Sequence, residues 1–226
     1  PPYLKSKVPA ASCKYHAERI EVAIWKINPC VADPVGASKV ISTCLLVPVV
    51  SNFSEIKLEP STWKIVSGFD EAVPTPRSVT TPNSFIATAW TIINIGAKPV
   101  FVDIWDDYKI DPNKIESAIT SNTKAIIPVH LTGKISKMDE ILEISKKHNL
   151  YVIEDSAQAV GATLNDKKAG SFGITGCFSL HPLKNLHIHG DGGMVTTNDK
   201  NIYNYLNKVR NHGLVNRDEC EFWGYN

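Results

Sequence analysis

Residues 124–155 read Lys124-Ala-Ile-Ile-Pro-Val-His-Leu-Thr-Gly-Lys-Ile-Ser-Lys-Met-Asp-Glu-Ile-Leu-Glu-Ile-Ser-Lys-Lys-His-Asn-Leu-Tyr-Val-Ile-Glu-Asp155. An apolar run over 124–129 predicts a strand. Met138, Ile141, Leu142 and Ile144 then share one helical face on a stretch running to about His148. A second apolar run, 150–153, stops abruptly at Glu154-Asp155. Strand, amphipathic helix, strand is the unit from which parallel sheets covered by helices are built. Ser136-Lys-Met-Asp139 has the spacing of a capping box at the helix start.

Outward from this unit the alternation continues. Residues 99–104 predict a strand, and Asp111-Pro112 supplies an N-cap followed by proline at the first helical position, opening a helix over 113–120. Further on, Asn198 or Asp199 can cap a helix in which Ile202, Tyr205, Leu206 and Val209 share one side. The fold class expected for residues 79–226 is therefore α/β, a mostly parallel central sheet flanked by helices. Residues 1–78 read differently. Ten of the fourteen prolines lie at or before Pro82, with three of the five cysteines, and no apolar period persists. A helix over 16–27, with Ile20, Val22, Ala23 and Ile27 apolar, and a strand or buried segment over 40–50 are the readable elements there. Two units follow: an atypical segment, 1–78, and an α/β domain, 79–226.

Composition excludes several functions. With 24 basic and 23 acidic side chains the formal charge is +1, and the lysines form no basic stripe, which argues against nucleic acid. No basic and apolar leader opens the chain, and the longest apolar stretch, 44–50, is interrupted by Pro48, so neither secretion nor membrane spanning is expected. Five cysteines with no C-x-x-C pair make a disulfide framework or zinc ribbon a poor fit, and a reducing cytoplasm suits them.

In an open parallel sheet ligands collect at the C-terminal ends of strands, which places Asp155 to meet one. A strand-ending aspartate is more often a turn or cap, so its company matters. About thirty residues on comes Cys177-Phe-Ser-Leu-His-Pro-Leu-Lys184-Asn, then the glycine cluster Gly190-Asp-Gly-Gly193. Taken alone, Lys184 reads as a surface lysine. Beside an aldehyde cofactor in a pocket, such an amine can lose its proton and form a Schiff base. The glycine cluster lacks the context of a nucleotide loop and reads as a tight turn.

The segments Thr81-Pro-Asn-Ser-Phe-Ile-Ala-Thr-Ala, Gly96-Ala-Lys-Pro-Val-Phe-Val-Asp103, Ile127-Pro-Val-His-Leu-Thr-Gly133, Glu154-Asp-Ser-Ala-Gln-Ala159, Gly170-Ser-Phe-Gly173, Phe178-Ser-Leu-His-Pro-Leu-Lys-Asn185, Gly190-Asp-Gly-Gly193 and Arg210-Asn-His-Gly213 resemble, in order and spacing, the DegT/StrS family of nucleotide-sugar aminotransferases. The resemblance spans about 79–226. It implies pyridoxal 5'-phosphate as cofactor and Lys184 as its Schiff-base lysine and proton carrier. Asp155 would pair with the pyridine nitrogen, keeping the ring an electron sink. By the same resemblance Gln158 would bond near the ring's 3-oxygen, and Ser179 would bind the phosphate. Phe85 would stack on the ring; a core aromatic is the competing reading of that residue. Asn226 would reach the cofactor phosphate of a neighbouring subunit, implying a homodimer with shared active sites.

Amino-acid and nucleotide-sugar substrates follow from the same likeness, with glutamate the family's donor. Cys177, His181, His187 and His189 offer nitrogen and sulfur donors of the kind zinc takes. His187 and His189, however, fall in the loop after the family lysine, where contact with the sugar or loop packing is expected, and no metal is assigned.

Two departures bear on function. The family's Ser-Gly-Thr phosphate loop is not found: Ser67-Gly68 is followed by Phe69, and Pro74 and Pro76 obstruct the helix expected next. The chain also stops at Gly224-Tyr-Asn226, where the family continues into a smaller C-terminal domain, expected to be absent here. The alternative to an aminotransferase is thus a catalytically inactive truncated remnant, or a non-catalytic binding protein on the same scaffold.

Overall fold

A computed structural model describes residues 21–26 and 75–225 of the chain. In chain order it contains β1 (Glu21–Lys26), β2 (Arg77–Thr80), α1 (Ile86–Asn94), β3 (Lys98–Phe101), α2 (Pro112–Ala118), β4 (Thr123–Ile126), α3 (Met138–Lys147) and β5 (Tyr151–Asp155). The two-residue strands β6 (Thr163–Leu164) and β7 (Lys167–Lys168), then β8 (Thr175–Ser179), β9 (Gly192–Thr197) and α4 (Lys200–Val209), complete it. Seven strands form one sheet in the order β1-β9-β8-β5-β4-β2-β3, with β6-β7 a separate hairpin. The run from β3 to β8 is parallel, while β9 and β1 are added antiparallel. This is the expected mostly parallel sheet flanked by helices.

Alternation along the central strands builds two cores, one on each face. Ala125, Ile127 and Ile153 face one way and pack with Ile92 of α1 and Leu206 of α4. Ile126 and Val152 face the other way and pack with Ile115 of α2 and with Met138 and Ile141 of α3. Ile126, Ile127 and Ile153 are wholly covered, each contributing roughly 1.5–3 kcal/mol of hydrophobic stabilisation. The same alternation sends the side chains of Glu154 and Asp155 to opposite faces of the sheet.

Local signals worked where they were complete. Asp111 caps α2, its carboxylate accepting from the Asn113 amide at 3.0 Å, with proline at the helix start. Asp199, rather than Asn198, caps α4 through the amides of Asn201 and Ile202. The capping box at Ser136 is corrected: Lys137 holds the cap position of α3 and no side chain caps it. Ser136 is fully buried and donates instead to the Val129 carbonyl at 3.0 Å, so its hydroxyl serves a loop. The helix expected over 16–27 is also corrected, because Glu21–Lys26 is a strand paired with β9 in register Glu21 to Thr197 through Lys26 to Gly192. Valine, isoleucine and tryptophan within it suit an extended backbone once an edge is present to pair with.

Gly192 and Gly193 belong to β9 rather than to a turn, which leaves Gly190, at φ +100°, as the turning residue. The segment 40–50, most of the unit 1–78, and Asn226 lie outside the described residues. Among the described residues no helix is long and apolar enough to cross a membrane.

Candidate active site

The sheet changes its direction of growth at β2, which has β3 on one side and β4 on the other. Such a reversal leaves a crevice beyond the C-terminal ends of the strands. Phe85 follows β2, Thr132 follows β4, Asp155 and Gln158 end and follow β5, and Ser179 and Lys184 end and follow β8. These four strands are adjacent in the sheet, so the expected site residues emerge from one edge of it.

Asp155 is held at both oxygens. Oδ1 accepts from the Ala157 amide at 3.1 Å, and Oδ2 accepts from the Thr88 hydroxyl at 2.7 Å. Thr88 lies in the first turn of α1, is 3% exposed, and stands 2.7 Å from the Ser84 hydroxyl. Sequence reasoning did not single out Thr88. Its only signal was a polar residue on the core-facing side of an apolar helix. Phe85 occupies the N-cap position of α1 and is 67% exposed, which removes the reading of a core aromatic.

The turn carrying Lys184 follows β8. The Lys184 amide donates to the His181 carbonyl at 2.8 Å, the Leu183 amide to His181 Nδ1 at 3.1 Å, and the His181 amide to the Ser179 hydroxyl at 3.3 Å. His187 donates from Nδ1 to the Lys184 carbonyl at 3.2 Å. His187 and His189 are both exposed in this loop. Lys184 itself is half-buried and lines a cavity of about 460 Å³ with Leu183, Asn185, Gln158, Thr132 and Val160. The Gln158 amide oxygen accepts from the Thr132 amide at 2.8 Å. Lys184 and Gln158 are therefore brought together, whereas Asp155, Ser179 and Phe85 do not line this cavity.

Behind Asp155, on the opposite face, Glu154 is wholly buried and accepts four hydrogen bonds. The amides of Gly170, Phe172 and Gly173 donate at 2.7 Å each, and His130 Nε2 at 3.0 Å. The Ser136 amide donates to His130 Nδ1 at 3.2 Å, so the imidazole proton resides on Nε2, facing the carboxylate. Gly173 sits here because a side chain would strike the Val152 carbonyl. One carboxylate thus ties β5 to the loop entering β8 and to the segment leaving β4.

Cys177 is buried, and burial, with the charges of Asp155 and Glu154, pushes its thiol well above the ordinary range. A thiol held neutral is a poor zinc ligand. Among the described residues no group of three or more His, Cys, Asp or Glu side chains is placed to hold a metal. Near the end of the described chain, the Arg210-Asn-His-Gly213 turn packs on the segment that follows it. The Tyr225 amide donates to the Val209 carbonyl at 2.6 Å, and Gly213, at φ +78°, leaves no room for a side chain beside the Phe222 carbonyl.

A UDP-N-acetyl-3-dehydro-alpha-D-glucosamine 3-aminotransferase of Acidithiobacillus ferrooxidans is 50% identical over 144 residues, 63% of this chain and 39% of that protein. The structure of Helicobacter pylori PseC, an aminotransferase involved in the biosynthesis of pseudoaminic acid, superposes with a TM-score of 0.70 at 32% identity, over 82% of this chain and 47% of that one. The PLP-form of Spr1654 of Streptococcus pneumoniae gives 0.62 at 27% identity, over 67% and 45%. The chain spans 35–41% of the length of the curated relatives it matches. The family they share is pyridoxal-phosphate-dependent. Its model matches residues 72–226, and the chain belongs to the DegT/DnrJ/EryC1/StrS aminotransferase family.

Proposed function

We propose that this chain supplies the cofactor-holding part of an aminotransferase that moves an amino group from an amino acid, glutamate, to a keto-sugar linked to a nucleotide. The observation that carries the reading is the meeting of Lys184 and Gln158 on one cavity, beside the strand end that presents Asp155. The donor set fits pyridoxal phosphate in kind: an amine for an aldehyde, an oriented carboxylate for a ring nitrogen, an amide and a hydroxyl. When bound, that cofactor supplies an electron sink conjugated to the substrate carbon.

The chain's own residues do the rest. Lys184 would hold the cofactor through its Nζ, and the same amine would carry the proton that leaves the substrate carbon. Asp155 would hold the ring nitrogen and favour its protonated form. Gln158 commits its oxygen to Thr132, leaving its amide hydrogens for the ring's 3-oxygen. Ser179 accepts from His181 and keeps its own proton for a phosphate oxygen. Phe85, exposed at the start of α1, supplies a ring face for stacking. His187 and His189 are assigned to the sugar side of the loop. Asn226 completes the site of a second subunit in a cytoplasmic homodimer with shared active sites. The units 1–78 and 79–226 belong to the same reading, the second holding the cofactor.

The test is to mix the purified chain with pyridoxal phosphate, reduce with borohydride, and locate the fixed adduct by peptide mass spectrometry, with Lys184→Ala as control. Selective labelling of Lys184 is expected, and a screen of nucleotide-linked keto-sugars follows it. Absent or scattered labelling overturns the reading in favour of a non-catalytic scaffold.

A further inference from the structure

The hydroxyl pair in front of Asp155 has a direction. An ionised carboxylate only accepts, so Thr88 must give its proton to Asp155 Oδ2 at 2.7 Å. Thr88 then has only lone pairs to offer the second hydroxyl, and Ser84 must donate across the other 2.7 Å contact. Two hydroxyls in series, each polarising the next, end on one carboxylate oxygen. The other oxygen is bound by the Ala157 amide, so the carboxylate is fixed at both ends. Thr88 is 3% exposed, and its own amide is fastened to the Phe85 carbonyl at 3.1 Å, so the hydroxyl has little freedom to turn elsewhere.

We infer that Thr88, backed by Ser84, is a positioning residue that aims the Asp155 carboxylate at the cofactor's ring nitrogen. The inference rests on the aminotransferase reading above. It couples the first turn of α1 to the end of β5 across β4, and so links the stacking face at Phe85 with the charge at Asp155 through a single hydroxyl. Removing that hydroxyl while keeping the side chain's shape leaves the carboxylate one donor short and held only through the Ala157 amide.

The experiment is cofactor binding to the full chain by fluorescence, using pyridoxal phosphate and its carbocyclic analogue in which the ring nitrogen is replaced by carbon. Thr88→Val is expected to weaken pyridoxal phosphate binding about ten- to hundredfold, the range for loss of a bond to a charged group. Binding of the nitrogen-free analogue should change little, and Thr88→Ser should restore most of the loss. Equal weakening toward both compounds overturns the inference, since a merely structural role would not distinguish them, and so does an unaltered Thr88→Val. A wild-type chain that binds neither compound overturns the aminotransferase reading itself.

Discussion

Replacing Glu154 by glutamine removes one oxygen from the centre of a buried four-donor cluster and changes nothing else in size. Each carboxylate oxygen serves two donors: Oε1 takes the amides of Phe172 and Gly173, and Oε2 takes the Gly170 amide and His130 Nε2. Glutamine can satisfy only one of these pairs and turns an NH2 group toward the other. His130 cannot adapt by moving its proton, because Nδ1 already accepts from the Ser136 amide. A buried donor left without a partner costs roughly 1–3 kcal/mol. With two such donors and some relaxation, Glu154→Gln should cost about 3 kcal/mol, a large share of the ~5–15 kcal/mol typical of a domain.

Urea unfolding followed by circular dichroism measures this. At an unchanged slope of about 1–3 kcal/mol/M the midpoint should fall by roughly 1–3 M. Glu143→Gln, on the exposed side of α3, is the control and should stay within about 0.5 kcal/mol of wild type. A midpoint for Glu154→Gln no lower than that control would refute the idea that this carboxylate holds β4, β5 and β8 in register.

Asp111→Ala should cost about 1 kcal/mol through loss of the cap on α2, and Asp111→Asn, which keeps an acceptor for the Asn113 amide, should recover most of it in the same unfolding assay. Cys177 should resist alkylation in the native protein at pH 8 while exposed Cys220 reacts, with peptide mass spectrometry separating the two. Because the folded thiol is raised, its contribution is fully present below the ordinary value of 9.0 and is lost as pH rises beyond it, so the gap between wild type and Cys177→Ala in urea midpoint should narrow on going to alkaline pH.

What could be read from the sequence was what neighbouring residues decide among themselves. Asp111-Pro112 and Asp199 announced helix starts because the cap and its amide targets lie within three residues. Asp155 stood out because it ends a strand whose apolar run is continuous, whereas Lys184, a surface lysine when taken alone, stood out by its place among the family-like segments. The errors arose where a distant partner decides. Ser136 had a capping spacing, but its hydroxyl is taken by Val129, on the strand side of the loop. Residues 21–26 gained their strand from an edge at 192–197, which no local period shows. Thr88 and Asp155 are 67 positions apart, so the bond between them was invisible. Glu154 stood next to the residue that drew notice, and its amide donors arrive 16 to 19 residues later.

The spread of the site over β2, β5 and β8 also constrains its birth on the ribosome. Thr88 and Lys184 are separated by 184 − 88 = 96 residues, so at about 5–20 residues per second they leave the tunnel on the order of 5–20 s apart. β5 ends at Asp155 and β8 begins at Thr175, so for 175 − 155 = 20 of those residues, about 1–4 s, β5 has no β8 beside it, and the parallel edge it presents can pair with another nascent chain. Parallel pairing is slow to form because distant strands must meet first. The β5 edge is therefore where association between nascent chains would begin, before the pocket exists.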